Sequence, residues 1–529
     1  MDINYAKSCY AHADQEHTKW LGLYKECYAF GMPNRDLFSM YNSFPSTISG
    51  SIKDGSEVGN FDSTASLCVE SFVAKTLVSL IPSGNDWFNL SVTDSDGPTL
   101  KVLEDATKIL FKSIRSSNYY FVMGEAFADI IAGTMCVSLK YSGDKSNPLF
   151  FEAVPLPYIK PFENSKNLLT NQFRVINNII NQDLERVYKK ANFKKLKGKI
   201  KEDPCGFTQL LECWMDLENG SWEFMLCDAT FENVFLNEIR FYNPYTIGRW
   251  SRLSGESYGR GPLVTILPDL RELNYLLRLQ TKANEICALS PQVMTTGGDI
   301  NQYNISTDPG AINMLKLSLG QEAPTMTPIF RPQPMQGVIE RIAYLMQNIK
   351  RGLFDDPIAN QSEPGTTATE IRLRAQWYQQ LVGAPAARIE SEFLTPQIRN
   401  MMLIHTTYNI DGMRDLLKDI PQNSIEFQSP LVSNQRQEDI ESMSEKGQVV
   451  GQLLGPQGAG AVIDPQKVVI EVNRTIRGPD IFKDAAEIQQ QQENNQKMAL
   501  MSHLASLSPQ LGQSPNQIPS GADPSGAPQ

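Results

Sequence analysis

A chain of 529 residues with 41% hydrophobic side chains has the apolar content for sizeable cores and the length for three or four domains. Its net charge of −11 argues against a protein that grips nucleic acid over a broad surface, and eight scattered cysteines without a CxxC pair read as reduced thiols rather than a disulfide framework. With no apolar run of about 18 residues and no secretory pattern in Met1–Tyr5, the expectation is a soluble chain made in a cytoplasm.

Residues 5–30 predict a helix rich in aromatics, ending near Gly31-Met32-Pro33. Cys9, His12 and His17 on it could be drawn as a metal cluster, but no second half-site stands at zinc-like spacing, so they read as ordinary helix residues. A second helix is expected over 61–81, entered at Asp62-Ser63-Thr64 and stopped by Pro82-Ser83-Gly84. Trp87 to Val92 alternates as a short strand does. Helices at 98–116 and 119–132 lead into Met135–Leu139. From 145 to 245 the pattern is mostly strand-like, interrupted by a helix that carries a basic run. That run is Arg186, Lys189, Lys190, Lys194, Lys195, Lys197, Lys199 and Lys201, with no acid among them. One reading is a phosphate-contacting patch. The favoured one is a solvated helix and turn whose Val187, Tyr188, Phe193, Leu196 and Ile200 pack inward, since charge runs usually mark exposed faces.

Residues 248–262, GRWSRLSGESYGRGP, support two incompatible readings. Gly255-Glu256-Ser257-Tyr258-Gly259 matches the G-x-S-x-G nucleophile elbow, which raises a serine hydrolase using Ser257 as the alternative function. An elbow needs a buried strand before the serine and a helix directly after it. Here Tyr245 to Leu253 are polar and basic with no apolar run, and Gly259-Arg260-Gly261-Pro262 cannot begin a helix directly. Only His405 and His503 lie downstream as triad partners. The stretch reads better as a corner that opens a long helix.

That helix is predicted by Leu263, Ile266, Leu267, Leu270, Leu273 and Leu277, with Pro268 and Asp269 suiting its first turn, and ends near Leu289. Residues 291–334 are loop-rich, with Gly297-Gly298, Asp308-Pro309-Gly310, Pro324, Pro328, Pro332 and Pro334. The helical period resumes with Val338, Ile342, Leu345, Ile349 and Leu353, opposite a face of Glu340, Arg341, Gln347, Asn348, Lys350 and Arg351. After a polar loop, Thr367-Ala368-Thr369-Glu370 reads as a capping box. Its helix runs to about Val382, is bent or broken at Gly383-Ala384-Pro385 and continues to about Tyr408. Helical stretches near 435–454 and 465–476 precede a Gln-rich segment, and the chain from Ser508 has too little apolar content to order alone.

Enzyme motifs are nearly absent. There is no P-loop, no H-E-x-x-H and no dinucleotide fingerprint, and the pairs Asp94 with Asp96 and Asp355 with Asp356 are turn material. No enzyme activity, metal or cofactor is expected.

Taken in order, several short segments resemble the portal (head-to-tail connector) proteins of short-tailed, podovirus-type bacteriophages over roughly residues 10–410. They are Trp20 through Met32-Pro33; Phe61-Asp62-Ser63-Thr64-Ala65; Leu80-Ile81-Pro82-Ser83-Gly84 with Trp87-Phe88; Ser117-Asn118-Tyr119 with Gly133-Thr134; Arg249-Trp250; Tyr258-Gly259-Arg260-Gly261-Pro262; and Thr367-Ala368-Thr369-Glu370-Ile371-Arg372. Neither the basic run nor the tail after 480 takes part in it. The resemblance implies an α+β, mostly helical portal fold that forms a ring. Its parts would be a mixed α/β wing (1–260), a first stem helix (261–290), a small clip (291–334) and a second stem helix (335–354). A tunnel loop (355–366), a helical wing and crown base (367–430), a helical crown (431–507) and a disordered tail (508–529) would follow.

It further implies a homo-dodecamer at the capsid portal vertex of the virion, assembled in the host cytoplasm. The ring would be the channel for double-stranded DNA in packaging and ejection. Its partners would be the major capsid and scaffolding proteins, the terminase large subunit and the tail adaptor or tube proteins, with no membrane. Arg341, Lys350 and Arg351 would face the DNA channel. Asn360, Gln361, Ser362, Glu363 and Gly365 would belong to the tunnel loop, and Gly259, Arg260, Gly261 and Pro262 would form the wing–stem hinge. Twelvefold repetition of a chain at −11 would make most of the ring surface repel DNA, as suits a conduit.

Overall fold

A computed structural model describes residues 3–33, 35, 61–92, 97–164, 169–217, 219–296, 306, 308–316, 326–328, 336–355, 383–418 and 424–427. All belong to one compact unit, Met1–Val432; the second, Ser433–Gln529, lies outside the described residues. So do most of the expected tunnel loop, with Asn360, Gln361, Ser362, Glu363 and Gly365, the capping box at 367–370, the crown and the tail.

Helix α1 (Ile3–Gly31) buries Ala6, Cys9, Ala13, His17, Trp20, Tyr24, Cys27, Tyr28 and Gly31, a stripe at three- and four-residue spacing. At about 1.5 Å per residue it is long enough to join two cores. Ala6, Cys9 and Ala13 pack with Phe173, Leu211, Cys213 and Met225, whereas Trp20, Tyr24 and Tyr28 enter the main core. The sulfur and imidazoles drawn as a metal cluster are spread over this helix, with Cys9 and His17 buried and His12 exposed. Helix α2 (Thr64–Leu80) begins where its polar entry predicted. Ser63 caps nothing with its side chain, and Thr64 Oγ1 instead donates to Asp62 Oδ1 at 2.9 Å.

Strand β1 (Phe88–Ser91) precedes α3 (Gly97–Ser116) and α4 (Tyr119–Ile130), and β2 (Thr134–Tyr141) follows. β2 is the middle of a three-stranded antiparallel sheet, between β3 (Leu149–Ala153) and β9 (Tyr245–Arg249). β9 corrects the sequence reading: all five of its residues are buried, although no apolar run marks them. Between β3 and β9 the chain forms a five-stranded meander of β4 (Ile159–Glu163), β5 (Leu169–Ile180), β6 (Phe207–Asp216), β7 (Trp222–Cys227) and β8 (Val234–Arg240). The basic run is not one helix. It is broken into short helical pieces, Leu184–Val187, Lys194–Leu196 and Lys197–Glu202, that cross from β5 to β6.

Helix α5 (Pro262–Ala288) lies against α6 (Gln336–Gly352), whose buried Ile342, Leu345 and Ile349 are the predicted stripe. The described residues of the segment between them include strands that its glycines and prolines did not suggest. β10 (Gln292–Thr296) pairs in parallel with β11 (Ile312–Lys316) and antiparallel with β12 (Met326–Pro328). Further on, residues 383–389 are helical; the helix expected to reach Val382, and with it the bend or break expected at 383–385, lies outside the described residues. A π-helical turn at Glu390–Leu394 then precedes α7 (Thr395–Tyr408). The region expected to be helical to 430 also contains β13 (Ser424–Phe427), which returns to pair with β1. Helices and strands thus mix as an α+β chain should.

Candidate functional site

The corner that opens α5 is held by backbone on backbone. Gly261 caps the helix and Pro262 takes its first position, where a missing N–H costs nothing. A Cβ on Gly261 would lie 1.9 Å from Ile131 O, and one on Gly259 would lie 2.2 Å from Gly133 O. Gly133 has φ of +142°, which side chains rarely adopt, and a Cβ there would sit 2.1 Å from Gly259 O. Hydrogen bonds run across the contact: Gly261 N to Ala132 O at 3.1 Å, Leu263 N to Ile131 O at 3.2 Å and Trp250 N to Gly133 O at 2.9 Å. Gly259 N donates to Thr134 Oγ1 at 2.8 Å, and the Tyr24 hydroxyl donates to Gly259 O. Gly259, Arg260, Gly261 and Pro262, expected as a hinge, lie between the sheet and the helix, and the glycines here serve close approach.

Around the corner the chain is pinned by buried charge. Arg249, 2% exposed, makes a two-pronged pair with Glu392 at 2.9 and 3.0 Å and lies 3.6 Å from Glu163. Its Nη1 also donates to Ser257 O at 3.3 Å, and Arg252 reaches Glu163 at 3.1 Å. The π turn carries Glu392, a case of a rare helical form at a point of special contact. Tyr258 is fully buried with its ring against Trp20, Tyr24 and His17, and its hydroxyl meets His17 Nδ1 at 2.7 Å. Burial, helped by the Lys160 charge, lowers the His17 pKa to about 4, so the ring is neutral at pH 7.

This leaves Ser257 without elbow geometry. A strand does precede it, but β9 ends at Arg249 and the helix begins only at Pro262. His405 is spent on Met401 O and Ser113 Oγ, both at 2.8 Å, and His17 on Tyr258. No hydrogen bond joins Ser257 Oγ to a histidine among the described residues; His503 lies outside them.

The helix pair α5–α6 presents the expected channel residues. Arg341 forks onto Glu272 of α5 at 2.8 and 2.7 Å, with about half of its side chain exposed. Lys350 and Arg351 are exposed in the last turn of α6, where cations complement the helix dipole. A Cβ on Gly352 would meet Ile266 Cγ2 at 2.3 Å, so the two helices close tightly at this end. There Asp355 accepts from Lys75 at 2.8 Å and from Ser71; burial opposes its charge, but these partners hold its pKa below the usual value. At the other end packing fades. Past Leu273 no residue of α5 is fully buried, while Tyr275 is 61% exposed and Tyr344 on α6 is 52% exposed.

Sequence reasoning missed Glu163, Glu272, Glu392 and Asp129, because each is defined by a partner far along the chain. Asp129, buried at the end of α4 beside the glycine contact, accepts from the Tyr28 hydroxyl at 2.6 Å and lies 3.4 Å from Arg35. Burial pushes its pKa up to about 6 against the pull of Arg35. Among the described residues no cluster could hold a metal ion, and no helix is long and apolar enough to cross a membrane.

The family described as bacteriophage head to tail connecting protein matches residues 4–480. A probable portal protein of Bordetella phage BPP-1 is 25% identical over 245 residues, which are 45% of this chain and only 41% of that relative's length. Similar solved structures include the neck of an empty gene transfer agent particle, 10% identical with a TM-score of 0.34, covering 78% of this chain and 93% of that one. The virion of a native gene transfer agent particle gives the same identity and coverage with a TM-score of 0.32. Matched from residue 4 to residue 480, the chain belongs to the bacteriophage head to tail connecting protein family.

Proposed function

We propose that twelve copies of this chain form the portal ring at one capsid vertex, with an axial channel for double-stranded DNA in packaging and ejection. The observation that carries this reading is the α5–α6 pair. Its outer half holds Tyr275, Leu279, Ile339 and Tyr344 in water, a pattern that suits burial between neighbouring copies. In the ring the pair is the stem, residues 291–334 the clip and 355–366 the tunnel loop. The surrounding capsid and scaffolding proteins, the terminase large subunit and the tail adaptor or tube proteins dock on its outer parts, and assembly takes place in the host cytoplasm.

Arg341, Lys350 and Arg351 face the channel in this reading. The Arg341–Glu272 fork is electrically neutral as a unit, so it offers a passing phosphate a dipole rather than a lone cation. That suits a surface over which DNA slides. Negative-stain imaging of the purified chain tests the proposal. Rings of twelve with an axial hole are expected; a monomer, or an oligomer without a hole, refutes it.

A further inference from the structure

The basic run at 186–201 has no part in the stem. It lies on the core of the five-stranded meander, with Leu184 and Phe193 buried among Trp214, Phe224 and Phe235, whereas α5 and α6 belong to the other core. The segment is held firmly from beneath. Phe193 stacks near Phe235 with ring centroids 5.2 Å apart, Asn192 N donates to Phe235 O at 2.8 Å, and the Tyr188 hydroxyl donates to Glu212. Lys190 pairs with Glu238 at 3.2 Å and Lys195 Nζ donates to Asn233 Oδ1 at 2.6 Å. Both tie the lobe to β8 and the turn before it.

The outer side is different. Arg186, Lys189, Lys194, Lys197 and Lys201 are exposed, and none of their charged side-chain groups has an ion pair or hydrogen bond among the described residues. Acids bracket the run at Asp183, Glu185, Glu202 and Asp203, but none falls inside it. A chain with an excess of 11 negative charges has therefore fixed a cluster of uncompensated cations on a rigid base.

We infer that this lobe is a second DNA contact, outside the channel, which binds the phosphates of duplex DNA without reading sequence. An acidic protein is the competing partner, and the surface suits it poorly. Protein interfaces are depleted in lysine and enriched in aromatic side chains, methionine and arginine. Here the cations are nearly all lysines, and of the run's large apolar side chains only Val187, at 58%, is strongly exposed. Lysine acts as a point charge on a flexible stem, a form suited to phosphate rather than to a fixed fork. Its longest helix spans six residues, too short to lie along a major groove and read base edges.

The test uses the full-length chain and a labelled blunt duplex, with binding followed by fluorescence anisotropy between about 50 and about 200 mM salt. A variant carrying Arg186→Gln, Lys189→Gln, Lys194→Gln, Lys197→Gln and Lys201→Gln removes the five outer charges. Each neutralised phosphate contributes about 0.9 to the slope of log affinity against log salt, so the variant should flatten that slope by up to about 4.5 for each lobe engaged. Lysine-to-arginine replacement at the same four lysines should keep the slope. An unchanged slope in the glutamine variant overturns the inference, and so does capture of poly-glutamate by the wild-type lobe with no binding of the duplex. Ring formation is read separately by imaging, so failure of this contact and failure of the channel reading remain distinguishable.

Discussion

Replacement of Gly261 by alanine adds one methyl group at the tightest point of the structure. The new carbon would lie 1.9 Å from Ile131 O, 2.5 Å from Ile131 C and 2.7 Å from Ala132 C, all of them backbone atoms. Carbon and oxygen sit no closer than about 3.3 Å even in favourable C–H···O contacts, so the two backbone segments must part by about 1.4 Å. Parting them breaks the bonds from Gly261 N to Ala132 O and from Leu263 N to Ile131 O. Each lost bond costs about 1 kcal/mol, more where a carbonyl stays buried without a partner, and overpacking adds about 1–3 kcal/mol. The expected loss is about 4 kcal/mol, a large share of the 5–15 kcal/mol typical of a folded domain. Gly22→Ala is the control: it lies within α1 with no atom within 4 Å of the new carbon, and should gain about 1 kcal/mol in helix propensity. Urea unfolding followed by tryptophan fluorescence measures both at equal protein concentration, Trp20 and Trp250 being close to the contact, and negative stain follows ring assembly. A Gly261→Ala midpoint within about 0.5 kcal/mol of wild type would refute the argument; by the same reasoning Gly261→Val should abolish rings.

Asp129 sets a pH dependence. Its folded pKa of about 6 is raised above the ordinary value, so its contribution to stability is full below pH about 4 and is lost as pH rises through about 6. Asp129→Asn can still accept from Tyr28, and should remove a loss of about 3 kcal/mol between those limits; parallel urea curves for variant and wild type at the two ends would show the idea wrong. Arg249→Met leaves Glu392 without its fork and should cost about 3 kcal/mol in urea unfolding, most of it regained in the double variant with Glu392→Leu. Ser257→Ala should stay within about 1 kcal/mol of wild type and leave ester hydrolysis at background; a loss of esterase activity would restore the hydrolase reading. Arg341→Gln removes an exposed pair and should leave the urea midpoint where it is in the same unfolding assay, since water already screens both partners; a clear drop would show the pair to matter for folding.

Long helices were legible in the sequence because their signal is local. The stripe from Leu263 to Leu273 and that from Ile342 to Leu353 are each buried as their spacing predicted. Strand β9 was not, because Thr246, Gly248 and Arg249 are buried for reasons that lie elsewhere. Arg249 is neutralised by Glu392, and Gly248 leaves room for Met135 and Phe393. Pairing of β1 with β13 joins residues more than 330 positions apart, which no window of sequence could expose. The prolines at 324, 328, 332 and 334 argued for loop, yet Pro328 ends a strand paired on β10. The motif Tyr258–Pro262 drew attention to the right residues, but its chemistry was hidden in Gly133 and Tyr24, which supply the other side of the contact.

The glycine contact also has a mechanical meaning. Side chains are soft, since they can change rotamer and absorb displacement, whereas two backbones in direct touch have no such slack. A load along the axis of α5 therefore passes from Gly261 and Leu263 into Ile131 and Ala132, and on to the end of α4 and the start of β2. In the proposed ring, where this helix pair is the stem between head and tail, the contact makes the root of the stem a stiff coupling that passes strain at the helix pair into the sheet.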